Sequence, residues 1–234
     1  MTVQPLVSLE HVGCRYQFRR GRFQFGFYEA LKDIHLSLYE GETLGILGRN
    51  GAGKSTLLRL IAGIIQPDSG SITYHRDLNI SLLTLQLGFS EELNGRDNAI
   101  VSAMLLGKSK QEAVDGLDAI QDFAELGEWF YEPIKSYSSG MRARLGFAVA
   151  MEMSPDILLV DEVLGVGDEA FRNKSTAAMK AKMKSGQTVL FVSHNLPTIR
   201  ELCSRVIWIE DGVTRMEGQT DYVLEHYLAH MKNK

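Results

Sequence analysis

Apolar and polar residues alternate from Val7 to Val12 and again from Leu31 to Leu38, where a turn follows at Glu40-Gly41-Glu42. A period of two turns one face of a strand to a core and the other to water, so the chain is expected to open with an antiparallel β layer. Between the two runs, cationic and aromatic residues interleave from Arg15 to Tyr28, which predicts a hairpin or loop insertion. Thr43 to Leu47 is a short apolar strand that enters a glycine-rich loop and then a helix from about Lys54 to Ala62, closed by Gly63. Pro67-Asp68-Ser69-Gly70 is a turn signature leading to a strand over Ser71 to Tyr74. From about Gly88 to Met153 the apolar spacing becomes helical, as at Ile100, Ala103 and Met104 or Leu117, Ile120 and Phe123. Ile157 to Val160 and Thr188 to Val192 are apolar enough for central parallel strands, Arg205 to Ile209 is a third β run, and Asp221 to Met231 reads as a terminal helix. Tyr222, Leu224, Tyr227 and Leu228 are the residues expected to dock that helix. The fold class that results is α/β: a parallel-sheet core over 1–87 and 154–234, an N-terminal antiparallel layer, and an inserted helical subdomain over 88–153.

Composition narrows the function classes. With 234 residues, 44% hydrophobic and 23% charged, the chain has the make-up of an ordinary globular protein with a sizeable interior. A formal net charge of −4 lacks the basic excess of a dedicated nucleic-acid binder, so no nucleic-acid partner is expected. Cys14 and Cys203 stand in no Cys/His cluster, which argues against a disulfide framework or a cysteine metal site and favours a reducing compartment. The first residues show no charged stretch followed by an apolar one, and no run of about 18 apolar residues occurs, so neither a secretion signal nor a membrane span is expected.

The chemistry begins at Gly48-Arg49-Asn50-Gly51-Ala52-Gly53-Lys54-Ser55, a complete phosphate-loop pattern between an apolar strand and a helix. Glycines let backbone N–H groups turn toward phosphates, and the helix start adds a positive dipole end. Lys54 can reach the terminal phosphates and Ser55 can offer a hydroxyl to Mg²⁺. Gly48, Asn50, Gly51, Ala52, Gly53 and Thr56 complete the expected nucleotide-binding set. Asp161 and Glu162 end an apolar strand at the edge where ligands bind in open α/β sheets. Asp161 is the candidate Mg²⁺ holder and Glu162 the candidate base for the attacking water; without the phosphate loop, the pair would read equally as acids leading into a polar turn. Ser193-His194 ends the next apolar strand, making His194 a candidate γ-phosphate sensor. Ser138, Ser139 and Gly140, within Tyr137-Ser138-Ser139-Gly140-Met141, precede a helix expected from about Arg142 to Met153 and form a second anion site.

Phosphate loop, helical insertion, YSSGM, LLVDE and SH, in that order, resemble the nucleotide-binding subunit of ABC transporters over essentially the whole chain. The resemblance implies an ATPase that uses ATP and Mg²⁺ and works as a homodimer, with Ser138, Ser139 and Gly140 contacting the γ-phosphate bound to the opposite protomer. It implies that Gln86 links the ATP site, including its metal, to the helical subdomain, and that Tyr16 stacks on adenine, with Tyr28 the rival across the insertion. The usual LSGGQ reads YSSGM here, so Ser139 replaces the first glycine and Met141 the glutamine. YSSGM, the sequence DEVLGVGD over 161–168, and the stretch from Leu87 to Asn98 are similar to the polysaccharide-exporter branch. That branch implies a separate polytopic membrane permease, a lipid-linked glycan such as an O antigen, capsule or teichoic acid as cargo, and a peripheral place on the cytoplasmic side of the inner membrane. No additional C-terminal domain of the kind some relatives use to read a finished glycan end is expected. The cationic and aromatic segment is open to two readings, an approach to the membrane surface or glycan head and a solvated hairpin. Other transporters' ATPases, a soluble ABC protein acting on ribosomes or DNA, and a non-catalytic nucleotide-binding regulator are the rival readings. The last is disfavoured because Lys54, Asp161, Glu162 and His194 are all present.

Overall fold

The alternating runs at the start of the chain pair as expected, but as much longer strands. The computed structural model describes residues 4–20, 24–162 and 165–232. Gly21, Arg22 and Phe23 of the cationic and aromatic segment, and Val163 and Leu164 after the acidic pair, lie outside the described residues. The first strand, β1, runs Val7–Arg19 and the second, β2, Phe25–Leu38. They pair antiparallel out to Arg19 opposite Phe25, so of the two expectations for this segment the hairpin holds, as an extension of both strands and not a loop insertion. Alternate positions there face water on both sides: Phe18, Phe25, Phe27 and Tyr28 are exposed, which is why no burial pattern marks the strands.

The remaining elements follow in chain order: β3 (Thr43–Leu47), α1 (Lys54–Ile61), β4 (Ser69–Tyr74), β5 (Ile80–Leu82), α2 (Gly95–Leu105), α3 (Lys110–Asp115) and α4 (Leu117–Ala124). Two short 3₁₀ turns lead to α5 (Ser139–Glu152), β6 (Ile157–Asp161), α6 (Glu169–Lys184), β7 (Thr188–Val192), α7 (Leu196–Leu202), β8 (Arg205–Glu210), β9 (Val213–Gln219) and α8 (Thr220–Lys232). The chain divides into two compact units. One takes the chain through Leu82, Asp156–Glu162 and Met183 onward; the other takes Leu83–Pro155 and the segment ending at Lys182.

The first unit is built on a nine-stranded sheet in the order β4-β1-β2-β9-β8-β3-β7-β6-β5. β8, β3, β7, β6 and β5 are parallel; β3 and β7 are buried throughout, as strands covered on both faces must be, whereas the edge strand β5 buries only its middle residue. β4, β1 and β2 form the antiparallel layer. Leu57, Leu58, Leu60 and Ile61 of α1 join Leu44, Ile46, Leu159, Leu190 and Ile207 in one core. The terminal helix docks through two of the four expected residues, Leu224 and Tyr227, joined by Val223. Val223 and Leu224 are buried and Tyr227 meets Trp208 edge-on at 5.4 Å, whereas Tyr222 and Leu228 are exposed. Spacings of three and four from Val223 and Leu224 reach Tyr227, while Tyr222 lies off that face.

The second unit has its own core, with Ala99, Ile120, Phe130, Ile134, Leu145 and Val149 among its buried residues. Asn98, fully buried in α2, holds the preceding loop. Its amide donates to the carbonyls of Ser90, Leu93 and Asn94 at 3.1, 3.0 and 2.8 Å, and its oxygen accepts the Ser90 N–H at 2.7 Å. The signature helix begins earlier than expected: α5 starts at Ser139, not Arg142, because Ser138 is its N-cap and accepts the Met141 N–H at 3.2 Å. Asn98→Leu keeps the volume but strands these backbone groups in an apolar setting. A loss of about 2 to 4 kcal/mol in stability is expected, read from urea denaturation.

Candidate nucleotide site

Parallel register decides which chain ends meet. Ile46 of β3 lies opposite Val192 of β7, and Asp161 of β6 lies opposite the same Val192. The residues that follow these three strands therefore emerge at one edge of the sheet: the phosphate loop after β3, the acidic pair at the end of β6, and Ser193-His194 after β7.

Gly53 takes φ +96 at the start of α1, and a Cβ there would stand 2.4 Å from Leu31 Cδ2 and 2.5 Å from the Ala30 carbonyl. Only glycine allows the loop to close this tightly on β2. Lys54 is buried and donates from Nζ to the carbonyls of Gly48 at 2.9 Å and Arg49 at 3.1 Å, so its ammonium is held over the loop. Burial lowers its pKa from the ordinary lysine value, and the nearby Glu162 and Asp161 carboxylates oppose that shift. Ser55 Oγ donates to Asp161 Oδ2 at 2.7 Å, bringing together the two oxygen groups proposed for the metal.

Glu162 leaves the strand with φ +61, a left-handed conformation for a residue with a side chain, and its N–H is bound to the Val192 carbonyl at 2.9 Å. Its Oε1 lies 2.7 Å from His194 Nε2. Neighbouring carboxylates thus have separate partners, Asp161 with Ser55 and Glu162 with His194. Strained backbone of this kind costs on the order of 1 to 3 kcal/mol and persists only where the surroundings hold it. Nothing in the sequence motif signals it.

The two tyrosines weighed for adenine stand directly opposite each other in the β1–β2 register. Both reach the phosphate-loop region: Tyr16 Oη lies 3.3 Å from Thr56 Oγ1, and Tyr28 Oη donates to the Gly51 carbonyl at 2.9 Å. Tyr16 is half-buried and Tyr28 exposed.

The second unit carries the other predicted residues. Ser138 and Ser139 are exposed, and with Ser138 as cap, Ser139 and Gly140 fall in the first turn of α5, where helix N–H groups lack intrahelical partners. Ser138, Gly140 and Met141 line a cavity of ≈ 190 Å³ with Trp129, Arg144 and Asp168. The Phe171 N–H and the Arg144 guanidinium bind Asp168 and hold its carboxyl below the usual range. Sequence reasoning did not single out Asp168; an acid one residue before a helical run was the available sign. Gln86 is exposed at φ +68, and its backbone N would be 2.8 Å from a Cβ placed on Gly146 of α5.

The sequence model described as ABC transporter matches residues 31–165. The chain belongs to the ABC transporter family. It is an ATPase domain of that family, with the phosphate loop, acidic pair and histidine assembled as above. It is 44% identical over 212 residues to the O-antigen export system ATP-binding protein RfbB of Klebsiella pneumoniae, a match covering 91% of this chain and 84% of that one. It is 42% identical over 200 residues to the teichoic acids export ATP-binding protein TagH of Enterococcus faecalis, covering 86% of this chain and 44% of the relative. Among solved structures, a dimeric ATP-binding cassette in a post-hydrolysis state with ADP and phosphate superposes with TM-score 0.70 at 24% identity, covering 92% and 98% of the two chains. The ATP-binding subunit of an ABC transporter gives 0.74 at 20% identity, covering 95% and 93%. These two likenesses bear on the fold, the mixed α/β ABC ATPase arrangement. No helix among the described residues is long and apolar enough to cross a membrane.

Lys54→Ala removes the ammonium held over the loop by the Gly48 and Arg49 carbonyls. Weaker ATP binding and a fall in turnover of about 10² or more are expected, from nucleotide titration and phosphate release. Wild-type affinity and rate in that variant would remove Lys54 from the site.

Proposed function

We propose that this ATPase powers export of a lipid-linked polysaccharide, as a homodimer seated against a separate polytopic permease on the cytoplasmic face of the inner membrane. Two observations support the cargo class: the named activities of the O-antigen and teichoic acid export relatives, and the YSSGM and DEVLGVGD sequences. The observation that carries the chemistry is the pairing of Ser55 with Asp161 and of Glu162 with His194 at the ends of adjacent strands. On this reading residues 1–87 and 154–234 handle nucleotide and 88–153 present the signature.

The donor set fits Mg²⁺, a hard cation that prefers oxygen: a hydroxyl and a carboxylate already 2.7 Å apart. Ser55 and Asp161 would hold it, with Gln86 as a further oxygen donor, and when bound it neutralises charge on the phosphate oxygens. Gly48, Asn50, Gly51, Ala52, Gly53 and Thr56 bind the phosphates with Lys54, and Tyr16 faces the base. Glu162 accepts the proton of the attacking water, while His194 orients that carboxylate and reaches the γ-phosphate. Ser138, Ser139 and Gly140 complete the site bound to the partner protomer. ATP then closes the dimer and hydrolysis reopens it.

Two substitutions separate binding from chemistry. Glu162→Gln keeps shape and hydrogen bonding but removes the base, and single-turnover hydrolysis should fall by about 10² to 10⁴ while ATP still binds and the closed dimer accumulates. Near-normal turnover would leave Glu162 as a strand-end acid only. Ser138→Arg places a bulky cation on the cap of α5. Monomer ATP binding should persist and the ATP-dependent dimer should vanish in light scattering; an unchanged dimer would sink the role in trans. For cargo, deletion of the chain in its host should leave lipid-linked glycan on the inner face of the membrane, and a normal surface glycan profile would rule export out.

A further inference from the structure

His11, Asp33 and His35 form a cluster that the nucleotide chemistry does not use. Asp33 Oδ1 lies 3.0 Å from His11 Nδ1 and 3.0 Å from His35 Nε2, and the three ligand atoms all fall within 4.8 Å of one another. The rings stand nearly perpendicular, at 81°, with centroids 4.2 Å apart. We infer that these three residues are a surface site for a divalent transition ion of the zinc class, fastening β1 to β2 where the antiparallel layer meets the rest of the sheet.

The backbone sets this cluster up. Ladder register in β1 shifts between Leu9 and Val12, and His11, at φ +52, occupies the bulge. Gly70 packs on its far side: a Cβ there would stand 2.2 Å from the His11 carbonyl and 2.4 Å from that of Glu10. The bulge is thereby fixed from β4, and its extra residue turns the His11 side chain toward β2. On β2, Asp33 is the residue that pairs with Val213 of β9, and its N–H binds the Gly212 carbonyl at 3.3 Å. His35 is bracketed by Thr214, whose Oγ1 accepts the His35 N–H and donates to the His35 carbonyl, both at 3.0 Å. All three ligand residues are therefore held by main-chain contacts independent of any ion.

Chemistry selects the ion. Two imidazoles and one carboxylate suit zinc, nickel or copper, whereas magnesium and calcium prefer all-oxygen sites. Ligand atoms about 2.0 to 2.1 Å from zinc lie roughly 2.9 Å apart at right angles and roughly 3.4 Å apart at the tetrahedral angle. The two 3.0 Å histidine–aspartate separations fall in that interval, and the two ring nitrogens lie within 4.8 Å of each other, so capture requires at most that the exposed rings turn toward the ion. Side-chain exposures of 75% for His11, 51% for Asp33 and 45% for His35 leave a path for entry and a further coordination position for water. The same separations also suit imidazole N–H groups donating to Asp33, and the experiment separates the two.

Tag-free, chelator-treated full-length chain without nucleotide is titrated with Zn²⁺ by calorimetry and with Co²⁺ by visible absorption. One equivalent of zinc should bind per chain, and Co²⁺ should give a spectrum without thiolate charge transfer. His11→Asn, chosen because asparagine tolerates φ above zero, and His35→Gln should each weaken binding by at least about tenfold. Asp161→Ala should leave it unchanged. Zinc at about 100 times its wild-type Kd should raise the folded-to-unfolded ratio of the wild type about 100-fold, and that of each histidine variant by about tenfold or less. ATP binding and circular dichroism of those variants verify that they fold. No zinc binding by the wild type, wild-type affinity in both histidine variants, loss of binding in Asp161→Ala, or a thiolate band from Cys14 or Cys203 would each overturn the assignment.

Discussion

The parallel pairing of β3, β7 and β6 fixes where the phosphate loop, the acidic pair and Ser193-His194 can stand. Each strand contributes its last residue and the turn after it, and register places Leu47, Asp161 and Val192 at a common edge. Side chains alternate along a strand, so a slip of one residue in β6 would turn Asp161 away from Ser55 and bury a carboxylate among apolar neighbours. Ile157, Leu158, Leu159 and Val160 are all buried, so a slip toward them would carry the Asp161 carboxylate into a buried position, and that cost opposes it. The hydrophobic core is thus what makes the Ser55–Asp161 contact reproducible.

In the second unit the corresponding constraint is polar. Asn98 fixes the loop from Ser90 to Asn94 by satisfying several backbone groups at once, and the resulting rigidity is of a kind that apolar packing, which has no direction, does not supply. Elsewhere in this unit, Phe123, Phe147 and Phe171 meet at centroid distances of 5.7 to 6.5 Å. Arg144 lies over Phe171 and Lys174 over Phe123, so two cations border the apolar cluster with their charged heads bound to acids, Arg144 to Asp168 and Lys174 to Glu125. Arg144 belongs to α5, one face of which carries the signature serines at its start. The helix that presents Ser138 is therefore anchored by both packing and charge.

Much of this was legible in the sequence, because the motifs are short and their backbone demands are local. A phosphate loop needs its glycines where φ is positive, and a buried parallel strand needs its run of branched residues; both are visible without tertiary information. Other elements were hidden for definite reasons. β5 has three residues and exists only by pairing with β6. β9 alternates partly buried and exposed positions without any fully buried residue, so its pattern lacks an apolar face. The full length of β1 and β2 was obscured because the outer halves face water on both sides and their ladder, not burial, holds them. α5 began earlier than its apolar spacing indicated, since a serine cap and the small residues after it carry no hydrophobic signal. Asn98 carries no motif, and its role shows only in its four hydrogen bonds to Ser90, Leu93 and Asn94.

The backbone at Glu162 explains how two adjacent acids come to have different chemistry. A regular strand would point Asp161 and Glu162 to opposite faces, and one of them would have to lie against the apolar layer. The left-handed turn at Glu162, with its N–H retained by Val192, takes the second carboxylate out of the ladder and brings it to His194. Asp161 meanwhile stays in register and meets the hydroxyl of Ser55. Had both carboxylates shared one partner, their repulsion would raise the pKa of one of them and blur the division between holding charge and accepting a proton. Separation by a single strained residue keeps both carboxyl groups near the phosphate loop with distinct partners. That strain, on the order of 1 to 3 kcal/mol, is sustained by the buried strands on either side.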